Sequence, residues 1–321
     1  MWIFGNLRKE LLFLYVPGLI GILISSLDGM IGETSLVYGI FVTAVLDSGH
    51  VYTTFWRTHF NPEEWRSSWA YFIAPPLIFL GFSAWYGYQL PYLWSFVVYA
   101  SFYHHLRQAY GFSKWYQHLN KSFRKTSDVF FYVLSCLPLV AYHFRSGVMN
   151  NYYGVNDLIM HPDPEIFRLV CGLFGAVFMA WVAWEFSLWR RGVRESNRIL
   201  SIASPVLVYS YCFFVGRTFT EVIFPFTILH AVSYFGIMGQ TLERTQKKRF
   251  PGFAFALLIV VLTAVVFGVS EKAVEEFVLG KLPNQTFIVG LYLTPLFLHY
   301  YFDSIIWRKR HREAKSFLVR S

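Results

Sequence analysis

Charged residues and cysteines are both scarce in this sequence of 321 residues. Only 15% of the residues are charged, whereas 55% are hydrophobic and 21% are aromatic. So little charge excludes a soluble globular domain of this length and indicates a polytopic membrane protein. The three cysteines lie in apolar segments without CxxC spacing, so neither a disulfide framework nor a thiolate metal site is indicated. They are Cys136, Cys171 and Cys212.

Several common functional motifs are also missing. The sequence has no internal repeat, low-complexity tract, Gly-rich phosphate loop or GxSxG elbow. The formal net charge is +9, but the basic residues stand in short clusters at the ends of apolar runs, so we expect no nucleic-acid partner. Arg8 and Lys9 precede an apolar run without a small-residue cleavage site after it, which predicts an uncleaved first helix.

Apolar stretches near the roughly 20 residues that cross a bilayer as a helix recur along the whole chain. They leave no room for a separate globular domain, so we expect residues 1–321 to form a single integral membrane domain. The predicted fold class is all-α, a polytopic membrane helix bundle with about ten transmembrane helices. The predicted spans are 11–27, 35–56, 69–88, 91–110, 128–145, 166–189, 199–216, 218–240, 251–269 and 286–307.

The distribution of lysine and arginine predicts the orientation of these helices, because cytoplasmic loops are enriched in both residues. With ten helices and both termini cytoplasmic, 23 of the 28 basic residues fall on the inner side. An odd number of helices would destroy this bias. The plasma membrane or the bacterial inner membrane is the expected location. The five basic residues on the outer side are Arg145, Arg168, Arg217, Lys272 and Lys281.

Histidine and aspartate occur at a similar depth inside four of the predicted helices. An ionisable group in hydrocarbon costs at least a few kcal/mol, so it normally faces the bundle interior and has a function there. His50, His104 and His299 lie seven, three and nine residues before the next arginine, about 5–14 Å from the cytoplasmic helix ends. We therefore predict one buried metal site in the inner half of the membrane. Its candidate ligands are Asp47, His50, His104, His230, His299 and Asp303.

The spacing within the helices also fits a shared site. Asp47 and His50 are three residues apart, and His299 and Asp303 are four apart, so each pair lies on one helix face. A carboxylate in this position can bind a metal beside its histidine or orient the imidazole. Three weaker candidates are His105, which points about 100° away from its neighbour on the helix, Glu185 at a comparable depth, and His59 at the cytoplasmic edge.

Imidazole and carboxylate ligands without thiolate suit zinc or non-haem iron, and imidazoles alone can hold haem. The number of candidate ligands exceeds the three protein ligands common at a catalytic zinc, so non-haem iron is favoured over zinc. The favoured function is a metal-dependent oxidoreductase that acts on a lipid or other hydrophobic small molecule near the cytoplasmic leaflet. The placement of its histidines resembles that of membrane desaturases and hydroxylases. Their HxxxH and HxxHH boxes are absent here, so no residue role is transferred.

Three other functions remain open. An intramembrane zinc lipid hydrolase would resemble the seven-helix lipid hydrolases, whose HxxxH box has His299-x-x-x-Asp303 as its nearest equivalent here. A proton- or cation-coupled transporter would use the same aspartates and histidines as a relay, although no inverted repeat is present. A haem electron carrier would need two histidines at one depth on facing helices, and His50 with His104, or His230 with His299, would qualify.

Overall fold

The structure is a computed structural model that describes residues 2–31, 41–61, 64, 66, 69–277 and 284–307. All regular elements formed by these residues are helical, which confirms the all-α prediction. Three predicted features lie outside the described residues: the beginning of the second span at 35–40, the outer-side Lys281, and the cytoplasmic C-terminal segment from residue 308 onward.

Ten helical elements occur within the described residues, close to the ten predicted spans. The first half of the chain holds α1 (Leu7–Glu10, the π-helical Leu11–Tyr15 and Val16–Ile31), α2 (the π-helical Phe41–Gly49, His50–Thr53 and the 3₁₀ turn Thr54–Trp56), α3 (Ala70–Gly87), α4 (Leu93–Leu119) and α5 (Lys125–Tyr142). The second half holds α6 (Pro164–Arg190), α7 (Ser196–Ser210 and the π-helical Tyr211–Val215), α8 (Phe219–Thr245), α9 (Phe253–Phe277) and α10 (Gln285–Ile306).

Six of these elements are long and apolar enough to cross a membrane, so the chain is a multi-pass membrane protein. These six spans are Leu7–Leu27, Ala70–Gly87, Pro164–Arg190, Ser196–Val215, Phe219–Thr245 and Phe253–Glu275. Large apolar side chains are exposed along them, including Leu77 and Leu169, which suits contact with lipid. Membrane crossing by α2, α4, α5 and α10 and the cytoplasmic position of both termini stay predictions. Three of those four helices carry candidate histidines: α2, α4 and α10.

The described chain groups into two compact units, each treated separately below. Unit 1 comprises Met1–Glu33 and Trp94–His230, and unit 2 comprises Thr34–Leu93 and Ala231–Ser321. The division falls inside α8, between His230 and Ala231. A single membrane domain over residues 1–321 therefore stays a prediction.

Unit 1 contains α1, α4 to α7 and the first part of α8. In its core, α4, α5, α7 and α8 each contribute apolar residues to one buried group that includes Tyr142, Phe213 and Phe226. A second buried group, which includes Phe131 and Trp181, joins α5, α6 and α7. These two groups determine how the helix that carries His104 and His105 packs inside unit 1.

Unit 2 contains α2, α3, the later part of α8, α9 and α10. Gly49 and Gly268 allow the backbones of α2 and α9 to touch, since a Cβ at Gly268 would overlap the carbonyl of Ala44, and one at Gly49 would overlap that of Ala264. Gly49 ends the π-helical segment, and such segments are frequent at functional sites. The close contact with α9 therefore determines the position of the next residue, His50.

Candidate metal centre

Two imidazoles meet inside unit 2. His50 and His299 are 2% and 1% exposed, and their ring centroids lie 4.9 Å apart with perpendicular planes. Their candidate ligand atoms lie within 4.8 Å of each other. His50 comes from α2, where glycine packing holds the backbone, and His299 comes from the middle of α10. Two separate helices thus supply buried histidines to one point.

A hydrogen-bonded chain orients His299. Its Nδ1 lies 2.6 Å from the hydroxyl of Thr54, which lies 2.7 Å from the hydroxyl of Tyr234. Tyr234 donates to Oδ1 of Asp303 at 2.9 Å. Because an ionised carboxylate only accepts, the tyrosine oxygen accepts from Thr54, and Thr54 accepts from Nδ1–H of His299. This direction assigns the proton of neutral His299 to Nδ1.

The assigned tautomer leaves the lone pair of His299 on Nε2, the atom that faces Asp303. The distance from Nε2 to Oδ2 of Asp303 is 3.8 Å, which is too long for a hydrogen bond. Two atoms that each bind one metal ion at about 2.1 Å can stand up to roughly 4.2 Å apart. His299 and Asp303 can therefore bind the same ion, with Thr54 and Tyr234 as the residues that hold the imidazole in place.

A buried cation stands beside this carboxylate. Arg57 is 1% exposed and stacks on the ring of Trp307 at 4.4 Å. Its charge acts on Asp303, to which Trp307 also hydrogen-bonds. Burial disfavours the ionised form of this carboxylate, whereas the hydrogen bond from Tyr234 and the charge of Arg57 favour it.

Unit 1 holds a second group of histidines, formed by His104, His105 and His230. All three are buried. The ring of His230 lies 4.9 Å from that of His104 and 4.0 Å from that of His105. The sequence predicted that His105 would be the weaker candidate, but the structure places it nearer to His230. Its Nδ1 lies 2.8 Å from the carbonyl of Ser101, so the proton sits on Nδ1 and the lone pair on Nε2.

Asp47 lies in a different environment from the one expected. Its carboxylate interacts with Lys272 and Glu271 of α9. The prediction that Asp47 and His50 share a helix face assumed an α-helix, whereas Asp47 belongs to the π-helical segment of α2. The i to i+5 hydrogen bonding of a π-helix widens the turn, so a spacing of three residues no longer aligns two side chains.

Glu185 and His59 also have partners of their own. Both carboxylate oxygens of Glu185 accept from the guanidinium of Arg198, at 2.6 and 2.7 Å, and Trp181 donates to one of them. This buried ion pair commits Glu185 to Arg198 rather than to a metal. The ring nitrogens of His59 contact the hydroxyl of Thr58 and the carbonyl of Tyr71. His59 is therefore part of the packing around α3.

Thr54 is the site residue that the sequence analysis missed. It follows His50 by four residues, so helical spacing alone could have placed it on the same face. Threonine is common in membrane helices, however, and its hydroxyl usually bonds to its own backbone.

No protein-family model, curated protein or solved structure matches this chain. The chain is a multi-pass helical membrane protein with buried histidines that could hold a metal ion.

Proposed function

We propose that the protein is an integral membrane oxidoreductase that depends on non-haem iron and acts on a lipid or other hydrophobic small molecule at the cytoplasmic leaflet. The observation that carries this proposal is the ligand set of unit 2. His50, His299 and Asp303 supply two imidazoles and one carboxylate, and the ligand atoms of His299 lie close to those of both partners. Two histidines and one carboxylate, with open positions, are the ligands typical of non-haem iron oxygenases.

The surrounding residues support a metal role in two ways. Thr54 and Tyr234 fix the tautomer of His299, as partners of ligating histidines do. The burial of both histidines keeps bulk water from the ligand atoms. Bound iron would supply the activation of oxygen needed to oxidise a C–H bond. A site inside a membrane protein suits a substrate that partitions into the bilayer, in the plasma membrane or the bacterial inner membrane.

Asp47, His104 and His230 stay candidate ligands, but the ligand set of unit 2 is sufficient for the proposed chemistry. Zinc hydrolysis and haem electron transfer use overlapping residue types and differ in the metal that the purified protein contains.

Metal analysis and absorption spectra of the purified protein test this proposal. We expect iron without a Soret band, and we expect His50→Ala and His299→Ala each to lose it while remaining inserted and folded. His118→Ala is the matched control, because His118 contacts Phe123 near the end of α4 and should leave the iron content unchanged. A Soret band would indicate haem, one zinc per chain would indicate hydrolysis, and full iron in both site variants would refute the ligand assignment.

A second function is favoured by the hydrogen-bonded chain itself. A path from His299 through Thr54 and Tyr234 to Asp303 can carry protons, as relays in transporters do. A proton-coupled transporter would contain no metal, and proteoliposomes would show proton flux that Thr54→Val abolishes and Thr54→Ser retains. Metal-free protein with such flux would replace the oxidoreductase by the transporter.

A further inference from the structure

Two connections of unit 1, between α4 and α5 and between α6 and α7, lie side by side. The amides of Asn120 and Asn197 bond to each other reciprocally, at 2.8 and 3.1 Å. Nε of Arg124 also lies 3.9 Å from a carboxylate oxygen of Glu195. The two connections and the helix ends beside them therefore form one surface of unit 1. Its exposed cations, called the cationic patch below, are Lys121, Lys125, Arg190, Arg191 and Arg194.

The carboxylates beside the cationic patch are engaged inside the protein. Glu185 and Glu195 both pair with the buried guanidinium of Arg198, at 2.6 and 2.7 Å. Asp128 pairs with Lys114 at 3.0 Å. Within the part of the chain that the structure describes, these ion pairs leave the five cations of the patch without a carboxylate inside 4.0 Å. The patch therefore presents uncompensated positive charge on the surface of unit 1.

α6 places the cationic patch at the level of lipid headgroups. This helix is one of the six membrane spans, and its 27 residues extend over about 40 Å, more than the roughly 30 Å of hydrocarbon in a bilayer. Trp189 in its last turn is 53% exposed, as is typical of the boundary between acyl chains and headgroups. The guanidinium of Arg194 lies 5.9 Å from the ring of Trp189. The patch thus begins where the exposed apolar surface of α6 ends.

We propose that the cationic patch binds the headgroup phosphates of anionic phospholipids. Lysine and arginine at a membrane surface attract anionic lipids, whereas a zwitterionic headgroup carries a cation of its own. A lipid fits better than a soluble anion, because exposed apolar side chains of the same span, such as Phe186, adjoin the patch and can contact the acyl chains. This inference goes beyond the proposed function, because it concerns unit 1 alone and requires no metal ion.

The test compares two fluorescent lipids that share their acyl chains and their label, a phosphatidylglycerol and a phosphatidylcholine. Their dissociation constants are measured by fluorescence anisotropy on the full chain in non-ionic detergent micelles at low salt. We expect the phosphatidylglycerol to bind at least about fivefold more tightly, the effect of one lysine or arginine near a charged membrane surface. Equal affinities in the wild type would overturn the proposal.

Two matched variants separate the charge of the patch from the shape of its side chains. The first combines Lys121→Gln, Lys125→Gln, Arg190→Gln and Arg194→Gln, and we expect it to bind the two lipids within about twofold of each other. The second exchanges lysine and arginine at the same four positions and should keep the wild-type preference. All four side chains are exposed, so both variants should fold. An unchanged preference in the folded glutamine variant, or a lost preference in the exchange variant, would contradict binding by charge.

Two measurements on the wild type need no variant. Salt screens exposed charges, so about 0.5 M NaCl should lower the preference for the phosphatidylglycerol at least about twofold. Soluble glycerol 3-phosphate carries a phosphate without acyl chains, and at about 1 mM it should not displace the lipid, because it cannot contact the apolar surface of α6. A preference independent of salt would overturn the proposal. Displacement by glycerol 3-phosphate would assign the patch to a soluble phosphate instead.

Discussion

Replacing Tyr234 by phenylalanine removes one oxygen atom from the hydrogen-bonded chain and keeps the ring. The ring contacts with His299 at 5.0 Å and His50 at 5.9 Å therefore remain. The lost hydroxyl donates to Asp303 and pairs with Thr54. A hydrogen bond to a charged group is worth roughly 1.5–3 kcal/mol. Partners that orient metal ligands contribute about 10–100-fold in metal affinity, or roughly 1.4–2.8 kcal/mol, which agrees with the loss of one such bond.

We therefore expect Tyr234→Phe to bind iron about 10–100-fold more weakly than the wild type. Competition with a chelator of known affinity measures this change on the purified protein. Tyr301→Phe is the control, because Tyr301 is 39% exposed on the same helix as His299, and its affinity should equal that of the wild type. Wild-type affinity in a folded Tyr234→Phe would refute the role assigned to the hydrogen-bonded chain.

Two further predictions concern packing and the buried ion pair. Gly268→Ala should lower the stability of the protein in detergent by about 1–3 kcal/mol, because the added Cβ overlaps the carbonyl of Ala44. Gly81→Ala is the control and should be neutral or slightly stabilising, since the space around the added Cβ is open. Equal melting temperatures of the two variants would contradict the close contact. Glu185→Gln should destabilise the protein by roughly 3 kcal/mol, because the charge of the fully buried Arg198 loses its partner on α6. The iron content should stay unchanged. Loss of iron from stable, folded protein would make Glu185 a ligand.

The helical architecture could be predicted from the sequence, because the length of an apolar stretch and the charges at its ends are local properties of the chain. The regular elements of the described chain are all helical, as predicted, and six of them have the length and hydropathy of membrane spans, while the count of ten spans stays a prediction. The grouping of His299 with Asp303 was also predictable, because a spacing of four residues aligns side chains in a regular α-helix.

Other features of the candidate site depend on contacts between helices, which the spacing of residues in the sequence does not predict. Asp47 lies in the π-helical segment of α2 and interacts with Lys272 and Glu271 of α9, and the composition of this segment did not predict its helix type. Arg198 was counted among the cytoplasmic cations, yet it is fully buried, because Glu185 of α6 and Glu195, three residues before it, both pair with its guanidinium. The role of Thr54 depends on α10 bringing His299 to it.

X-ray absorption at the metal edge of the purified wild-type protein tests the proposed centre most directly. We predict an iron signal with nitrogen and oxygen ligands at about 2.0–2.2 Å, outer-shell scattering from imidazole rings, and no sulfur shell near 2.3 Å. In His299→Ala the imidazole scattering should decrease or the iron should be absent. A protein without metal, or a metal bound by sulfur, would contradict the assignment of His50, His299 and Asp303 as its ligands.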